Sequence, residues 1–199
     1  MLSSTRNCKE VLFLLPPKIK IMDSINQQQQ EDNFENLQGS RAIKKIMELT
    51  DKSPSCFFCT DIGTGKPFIT RPMSVQEVDD EGNLWFLSAN DSHKNYEIKS
   101  DSKVQLLFQG SSYSDFLNLY GTATISEDKQ KIKELWKPIL KTWFTEGVDD
   151  PRISVIKVTP EEGYYWDTKH NMAIGLLKRV AGVIMGKTMD DSIEGYIDA

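Results

Sequence analysis

Two cysteines three residues apart, Cys56 and Cys59, are placed where redox or metal chemistry has to be considered. Thiols at this spacing share a metal or form a disulfide when they open a helix. The apolar run around them has instead the character of a strand, on which positions three apart point to opposite faces. We therefore interpret both as structural thiols. His93 and His170 lack the spacing of metal ligands, so the sequence predicts no metal site.

Other catalytic signatures are incomplete. Gly63 and Gly65 form a Gly-x-Gly pair, but the third glycine, the following helix and the acidic residue of a dinucleotide fold do not follow. The chain has no Gly-x-Ser-x-Gly elbow for a nucleophilic serine. The sequence thus favours neither a dinucleotide fold nor a hydrolase.

Four residues are candidates for holding a small ligand. Arg71 lies on a predicted strand, Ser88 ends the returning strand, and Lys94 falls in the first turn of a predicted helix. A cation, a hydroxyl and a lysine at a helix start can converge on one phosphate, with help from the free N–H groups of the helix. The alternative is that Arg71 and Lys94 are solvated surface charges. Trp166 is either part of the core or a lid that stacks on a flat ligand.

The elements that must position these residues are short apolar runs broken by turns, which predict antiparallel strands. The predicted strands are Cys56–Thr60, Pro67–Val78, Asn83–Ser88, Lys103–Gln109, Phe116–Ser126, Ile153–Val158 and Gly163–Trp166. Helices are expected after Ser40, Ser92 and Ser126 and over Met172–Met185. About six strands with helices between them predict a mainly β fold, a small antiparallel barrel with peripheral helices.

Both ends of the chain are predicted to lie outside the barrel, which we assign to residues 39–187. Residues 1–38 include a polar, glutamine-rich stretch and follow no structural period, so we expect a disordered N-terminal tail. Met22 is a candidate for the true start. Residues 188–199 are expected to form a flexible C-terminal tail.

Composition excludes several partners. The net charge is −5 and the pI about 5.2, which gives no general attraction to nucleic acid or to anionic lipid. The apolar run Val11–Leu15 is too short to span a membrane or to act as a secretion signal. Three cysteines are an odd number, which fits a reduced cytoplasmic setting. We expect a small-molecule or protein partner.

The segment from Arg71 to Gln109 resembles the flavin-binding split-barrel family of pyridoxamine 5′-phosphate oxidase. The strongest stretch runs from Trp85 to Lys94 and is followed by Lys103–Phe108. The chain is most similar to the general stress protein twenty-six branch, which has an arginine-proline-methionine strand and a tryptophan near the end of the barrel. The resemblance covers about residues 40–185. It implies a six-stranded antiparallel split barrel that binds FMN, with FAD as a possible substitute, and forms a homodimer.

The resemblance also implies a set of cofactor contacts. The strand that contacts the flavin falls on Arg71 to Gln76, with Arg71 at the phosphate and the following backbone along the isoalloxazine ring. The remaining contacts implied by the resemblance are Pro72, Met73, Leu87, Ser88, the basic pair His93 and Lys94 at the phosphate, and Trp166 from across the dimer interface. The phosphate site inferred from the residues alone and the phosphate site of the family are therefore the same.

The departures from the family pattern concern the substrate. Gln76 stands where the oxidase has a substrate-binding lysine, and Phe116 falls near an expected glutamine. The segment Asp167–Met172 stands where the oxidase has a run of arginines and a histidine that hold pyridoxamine phosphate and the flavin. A phosphate ester that loses these cations binds poorly, which disfavours the vitamin B6 reaction.

Three functions follow from this reading. The first is an FMN-binding split-barrel protein that acts as a flavin carrier or as a flavin-dependent oxidoreductase of unknown substrate. The second is a pyridoxamine 5′-phosphate oxidase. The third is an interaction protein that has kept the barrel without the cofactor. We assign no catalytic acid or base, because flavin chemistry needs few protein side chains.

Overall fold

The computed structural model describes residues 32–63, 65, 67–111, 114–169 and 191–199. Strands dominate the fold, as the sequence predicts. The strands are β1 (Leu37–Gln38), β2 (Ser55–Thr60), β3 (Ile69–Ser74), β4 (Glu77–Val78), β5 (Leu84–Ala89), β6 (Lys103–Gln109), β7 (Phe116–Ser126), β8 (Ile153–Thr168) and β9 (Ser192–Asp198). The helices are α1 (Ser40–Lys52), α2 (His93–Ser100) and α3 (Lys129–Leu135), with 3-10 turns at Pro138–Thr142 and Gly147–Asp149.

The strands form one mixed sheet that is not closed. Its main path runs β1-β9-β8-β7-β6-β2-β3, and β5 pairs with both β8 and β4. Among the described strands, only β1 and β9 pair in parallel. The split lies between β3 and β4, which the two residues Val75 and Gln76 connect in the chain. This arrangement is the split barrel expected from the sequence: the predicted strands form β2, β3, β5, β6, β7 and β8, and the unpredicted seven-residue β9 adds to them.

The sheet has nine strands rather than the predicted six, because one predicted strand divides and because β1 and β9 form in segments predicted to be tails. The predicted strand Pro67–Val78 divides into β3 and β4, because the chain turns at the split. In the other direction, two predicted strands join into the single 16-residue strand β8. Its pairing with β7 shifts register where Tyr120 faces Glu162 and Gly121 faces Pro160, so that Glu161 is an extra residue on β8.

Two apolar clusters hold the elements together. The larger lies between α1 and the inner face of the sheet, where Phe58 and Phe86 meet edge to face with ring centroids 5.3 Å apart. The second packs α3 and the 3-10 turns against β5 and β8. Its buried members are Leu87, Ile132, Leu135, Leu140, Phe144, Ile153 and Val155.

The expectation of flexible chain ends is wrong for the residues that the structure describes there. Residues 33–38 lie along β9, where the Glu35 N–H donates to the Glu194 carbonyl at 2.8 Å. Residues 192–198 are not a flexible tail, because they form β9 and pair with β8. The strands approach closely at Gly195, where a Cβ would collide with the Glu35 carbonyl oxygen. Each segment is ordered by backbone pairing with residues far away in sequence, which local composition does not reveal. Residues 1–31 lie outside the described residues.

Two helix starts also differ from the sequence expectation. Gly39, with φ 54°, is the N-cap of α1, and Ser40 is its first helical residue. Asp128, rather than Ser126, caps α3 by accepting from the Gln130 and Lys131 N–H groups. The helix predicted over Met172–Met185 lies outside the described residues. In the described part of the chain, no helix has the length and apolarity needed to cross a membrane.

Candidate functional site

Arg71 is fixed at the edge of the sheet by a buried hydroxyl and a carboxylate. It lies on β3 opposite Phe58, and about a fifth of its side chain is exposed. Its Nη1 lies 2.8 Å from Glu97 Oε2 and donates to Thr60 Oγ1 at 3.2 Å. Thr60 Oγ1 in turn donates to Glu97 Oε2 at 2.5 Å. The end of β2 and helix α2 therefore hold the guanidinium between them.

The start of α2 is fixed by a buried polar network. Ser88, near the end of β5, donates through Oγ to Asn95 Oδ1 at 2.9 Å. Asn95 Nδ2 donates to Ser154 Oγ at 2.8 Å, and Ser154 Oγ donates back to the Ser88 carbonyl at 3.1 Å. Ser92, the N-cap residue, makes no side-chain capping bond and lies 3.2 Å, Oγ to Oγ, from Ser88. The network sets where the first turn of α2 and its side chains lie.

Lys94 lies in this first turn, within the electrostatic range of Arg71. It is half-buried, and its Nζ donates to Ser92 Oγ at 3.3 Å. Burial and the positive charge of Arg71 lower the pKa of Lys94, and the charge of Glu97 offsets part of this effect. Two neighbouring cations can attract an anion, and a phosphate at this place remains a prediction from the sequence.

Glu97 belongs to the same cluster. Burial would raise the pKa of Glu97, but hydrogen bonds from Arg71 and Thr60 and the charges of Arg71 and His93 hold it below its usual value. We call Arg71, Thr60, Lys94 and Glu97 the cationic corner. His93 is exposed beside it. Sequence reasoning missed Thr60 and Glu97, although Glu97 stands one helical turn after Lys94, a spacing that places two side chains on one helix face.

The rest of the predicted contact strand lines the split. Pro72 is exposed, and Met73 packs against the larger core cluster. Gln76 donates from its backbone to the Trp85 carbonyl at 2.8 Å and from its side-chain amide to the Ser74 carbonyl at 2.9 Å. Its own carbonyl accepts from Lys137 Nζ at 3.3 Å.

Two of the predicted contacts are placed differently from the corner. The side chain of Leu87 is buried in the second apolar cluster, so that only the Leu87 backbone is left for a ligand. Trp166 lies on β8, four strands from β3 along the main path of the sheet. It is 43% exposed and stands 4.6 Å, centroid to centroid, from the Tyr164 ring. The chain thus places Ser88, His93 and Lys94 around the start of α2, with Arg71 within electrostatic range of Lys94, and places Trp166 on β8.

Asp167 and Lys169, which stand where the oxidase has substrate-binding residues, have other partners. Asp167 is buried and lies 2.8 Å from Lys45 Nζ and 3.4 Å from Lys52 Nζ. Lys52 also pairs with Asp115 at 2.8 Å. We call Lys45, Lys52, Asp115 and Asp167 the lysine clamp, because it fastens α1 to β8. Lys169 Nζ donates to Asn33 Oδ1 at 2.7 Å.

The two cysteines of β2 lie in the interior of the fold. Cys56 and Cys59 are both free and buried. Burial and the neighbouring Cys59 raise the pKa of Cys56 to about 12, which keeps its thiol protonated at neutral pH. The described residues contain no group of three or more His, Cys, Asp or Glu side chains arranged to hold a metal ion.

Comparison with known proteins decides the family. The sequence profile described as pyridoxamine 5′-phosphate oxidase like matches residues 41–190, which are 150 of the 199 residues. The chain belongs to the pyridoxamine 5′-phosphate oxidase like family. The family resemblance inferred from Arg71–Gln109 is thereby confirmed.

Relatives of this family share both sequence and fold with the chain. Protein bli-3 of Neurospora crassa is 30% identical over 149 residues, 70% of each chain. The crystal structure of a general stress protein 26 from Jannaschia sp. CCS1 matches with a TM-score of 0.68 and 22% identity, over 78% of this chain and 97% of that one. The crystal structure of the general stress FMN/FAD binding protein of Xanthomonas citri matches with a TM-score of 0.51 and 19% identity. The match covers 61% of this chain and 85% of that one. At these identities the two crystal structures establish the fold.

Proposed function

We propose that the protein binds a flavin nucleotide, FMN, with the phosphate at the cationic corner. The observation that carries this proposal is the placement of two cations from separate elements beside one carboxylate: Arg71 of β3 lies 2.8 Å from Glu97, which stands one helical turn after Lys94 on α2. A phosphate monoester supplies the negative charge that such a pair lacks. The name of the Xanthomonas citri relative, an FMN/FAD binding protein, supports a flavin as the ligand.

The residues present fit the cofactor. Arg71 and Lys94 would hold the phosphate, with the Ser92 hydroxyl and the first N–H groups of α2 beside them. The backbone of Pro72, Met73 and Gln76 would run along the ring. When bound, the flavin supplies the electron or hydride transfer. The side chains of this chain bind and orient it, and we assign none of them as acid or base. The protein would serve as a flavin carrier or as a flavin-dependent oxidoreductase, and two buried free thiols fit a cytoplasmic location.

We further propose that the site is completed in a homodimer. A row of residues on one face of the sheet crosses β2, β6, β7, β8 and β9, and each residue is paired in register with the next one. The row consists of Phe57, Leu107, Asn118, Tyr164 and Tyr196. Phe57 is 57% exposed and Tyr196 60%, and the exposed Trp166 stands beside the row. Large exposed aromatic surfaces mark protein contacts, and a second copy placed on this one would bring its Trp166 to the flavin.

The first experiment identifies the ligand. We expect the purified protein to be yellow, with an absorption band at about 450 nm. Heating should release FMN, which mass spectrometry identifies. FAD in place of FMN would leave the site assignment intact and change the cofactor. A colourless protein that takes up neither flavin in a titration would favour the cofactor-free interaction protein.

Light scattering tests the assembly separately. The chain has a mass of 22.7 kDa, so we expect a flavin-loaded particle of twice that mass. A flavin-loaded monomer of 22.7 kDa would contradict the homodimer.

A further inference from the structure

Glu97 is the feature of the cationic corner that a simple anion site does not require. Its Oε2 lies 2.8 Å from Arg71 Nη1 and accepts from Thr60 Oγ1 at 2.5 Å, so that it stands against the guanidinium which the proposed function gives to a phosphate. Its side chain is only 15% exposed, which keeps solvent from screening the contact fully. A carboxylate in this position neutralises one of the two cations.

We propose that Glu97 is a built-in competitor for the phosphate, which weakens FMN binding and keeps the cofactor exchangeable. This inference rests on the proposed function. With Arg71 and Lys94 charged and Glu97 ionised, the corner has a net charge of about +1, against about +2 without Glu97. An incoming phosphate meets an arginine whose Nη1 already has an anionic partner, and it lies close to that partner's negative charge. Exchangeable binding suits a flavin carrier better than a tightly held prosthetic group.

Glu97→Gln separates the competitor role from a positioning role. The variant keeps a side-chain oxygen for Arg71 and Thr60 but removes the negative charge. If Glu97 competes with the phosphate, the variant should bind FMN about three- to tenfold more tightly than wild type and release it more slowly. Its affinity for riboflavin, which has no phosphate, should be unchanged. A residue that only positions Arg71 predicts weaker FMN binding. The two roles therefore differ in sign.

Glu161→Gln is the matched control. It removes the same charge from the chain, but Glu161 forms an exposed ion pair with Lys103 at 2.8 Å, with side chains 49% and 54% exposed. We expect no change in FMN affinity for this variant. Equal tightening in both variants would show a general charge effect. Weakened or unchanged FMN binding in Glu97→Gln, or a parallel change for riboflavin, would overturn the proposal.

A measurement without flavin keeps this inference distinct from the proposed function. Since the charge of Glu97 supports the protonated form of Lys94, Glu97→Gln should lower the pKa of Lys94 further, and Glu161→Gln should leave it unchanged. The pKa of Lys94 can be measured in each variant by NMR. The lysines are labelled by reductive methylation with carbon-13, and the Lys94 signal is followed as the pH is changed. If wild type binds no flavin, the proposed function fails. If the Lys94 titration is the same in wild type and Glu97→Gln, Glu97 is not the counter-ion of the corner and the competitor role fails.

Discussion

The lysine clamp and the cationic corner both combine cations with carboxylates but differ in how their charges are matched. In the clamp, two lysines face the carboxylates of Asp115 and the buried Asp167. Burial alone would lower the pKa of Lys45, but hydrogen bonds and charges from Asp167 and Glu48 raise it above the usual value. In the corner, burial and a second cation lower the pKa of Lys94. One cluster is electrostatically satisfied, and the other retains an excess of positive charge.

This difference separates a structural cluster from a binding site. A matched ion pair has no need of a ligand, and its loss leaves an uncompensated buried charge that weakens the fold. A cation that lacks a matching anion is destabilised in its charged form, and a bound anion stabilises that form. We therefore expect changes in the clamp to affect stability and changes in the corner to affect ligand affinity.

The largest expected effect concerns the vitamin B6 reaction, which needs a second phosphate site. Asp167 and Lys169 are engaged by Lys45 and Asn33, and Gln76 is neutral, so these positions offer no set of cations for the substrate phosphate. We expect the FMN-loaded protein not to oxidise pyridoxamine 5′-phosphate, as followed by peroxide and pyridoxal phosphate formation. Turnover within about tenfold of the ~10 per second typical of enzymes would contradict this expectation.

The next effect is on stability. Asp167→Asn removes the buried carboxylate that Lys45 and Lys52 share, while Glu48 and Asp115 remain beside them, and we expect it to lower the free energy of unfolding by about 1–3 kcal/mol. Chemical denaturation measures this change. Glu161→Gln, which breaks an exposed pair, should cost less than about 1 kcal/mol. Equal losses in the two variants would show that the clamp does not differ from a surface ion pair.

Lys94→Met tests the corner. We expect FMN binding to weaken by about 1.5–3 kcal/mol, the range for a charge-assisted hydrogen bond, with riboflavin binding and thermal stability nearly unchanged. Lys45→Met is the matched variant in the clamp and should give the opposite pattern, lower stability with little change in FMN affinity. Equal losses for FMN and riboflavin in Lys94→Met would remove Lys94 from the phosphate site.

The smallest expected effect is a pH dependence. A phosphate dianion favours charged Lys94, so above the second ionisation of the phosphate, at pH ~6, FMN affinity is complete below the lowered pKa of Lys94 and is lost as pH rises through that pKa. The loss is about twofold at a pH equal to that pKa and begins at lower pH than for an ordinary lysine. Both ligands share the isoalloxazine ring, so the ratio of FMN to riboflavin affinity isolates the effect. A ratio independent of pH would contradict it.

The parts of the fold that sequence reasoning predicted are those with local signals. The hairpin between β4 and β5 follows from Asp79-Asp80-Glu81-Gly82, where Gly82 has φ 83° and Asp79 accepts from the Trp85 indole at 2.8 Å. The alternating strands and the start of α2 near Ser92 are local in the same way. The position of β9 is not, because it depends on pairing with β8 and on a close approach to residues near Glu35.

The residues of the candidate site likewise differ in whether a local sequence signal indicates their role. Arg71, Ser88 and Lys94 could be proposed together because each lies on an element with a local sequence signal: Arg71 on a strand, Ser88 near the end of the returning strand and Lys94 in the first turn of a helix. The role of Asp167 could not, because its lysine partners come from α1, more than a hundred residues earlier. Glu97 was missed because the polar sequence of α2 does not indicate that its carboxylate contacts Arg71 on β3.

The most direct test of the account compares FMN and riboflavin on the wild-type protein, stripped of any bound flavin, at low and high salt. The central claim is that Arg71 and Lys94 hold a phosphate. It predicts that FMN binds at least about tenfold more tightly than riboflavin at low salt, since two charge-assisted contacts are added, and that the difference narrows as salt screens the corner. Equal affinities at both salt concentrations would contradict the claim, because the phosphate would then add nothing to binding.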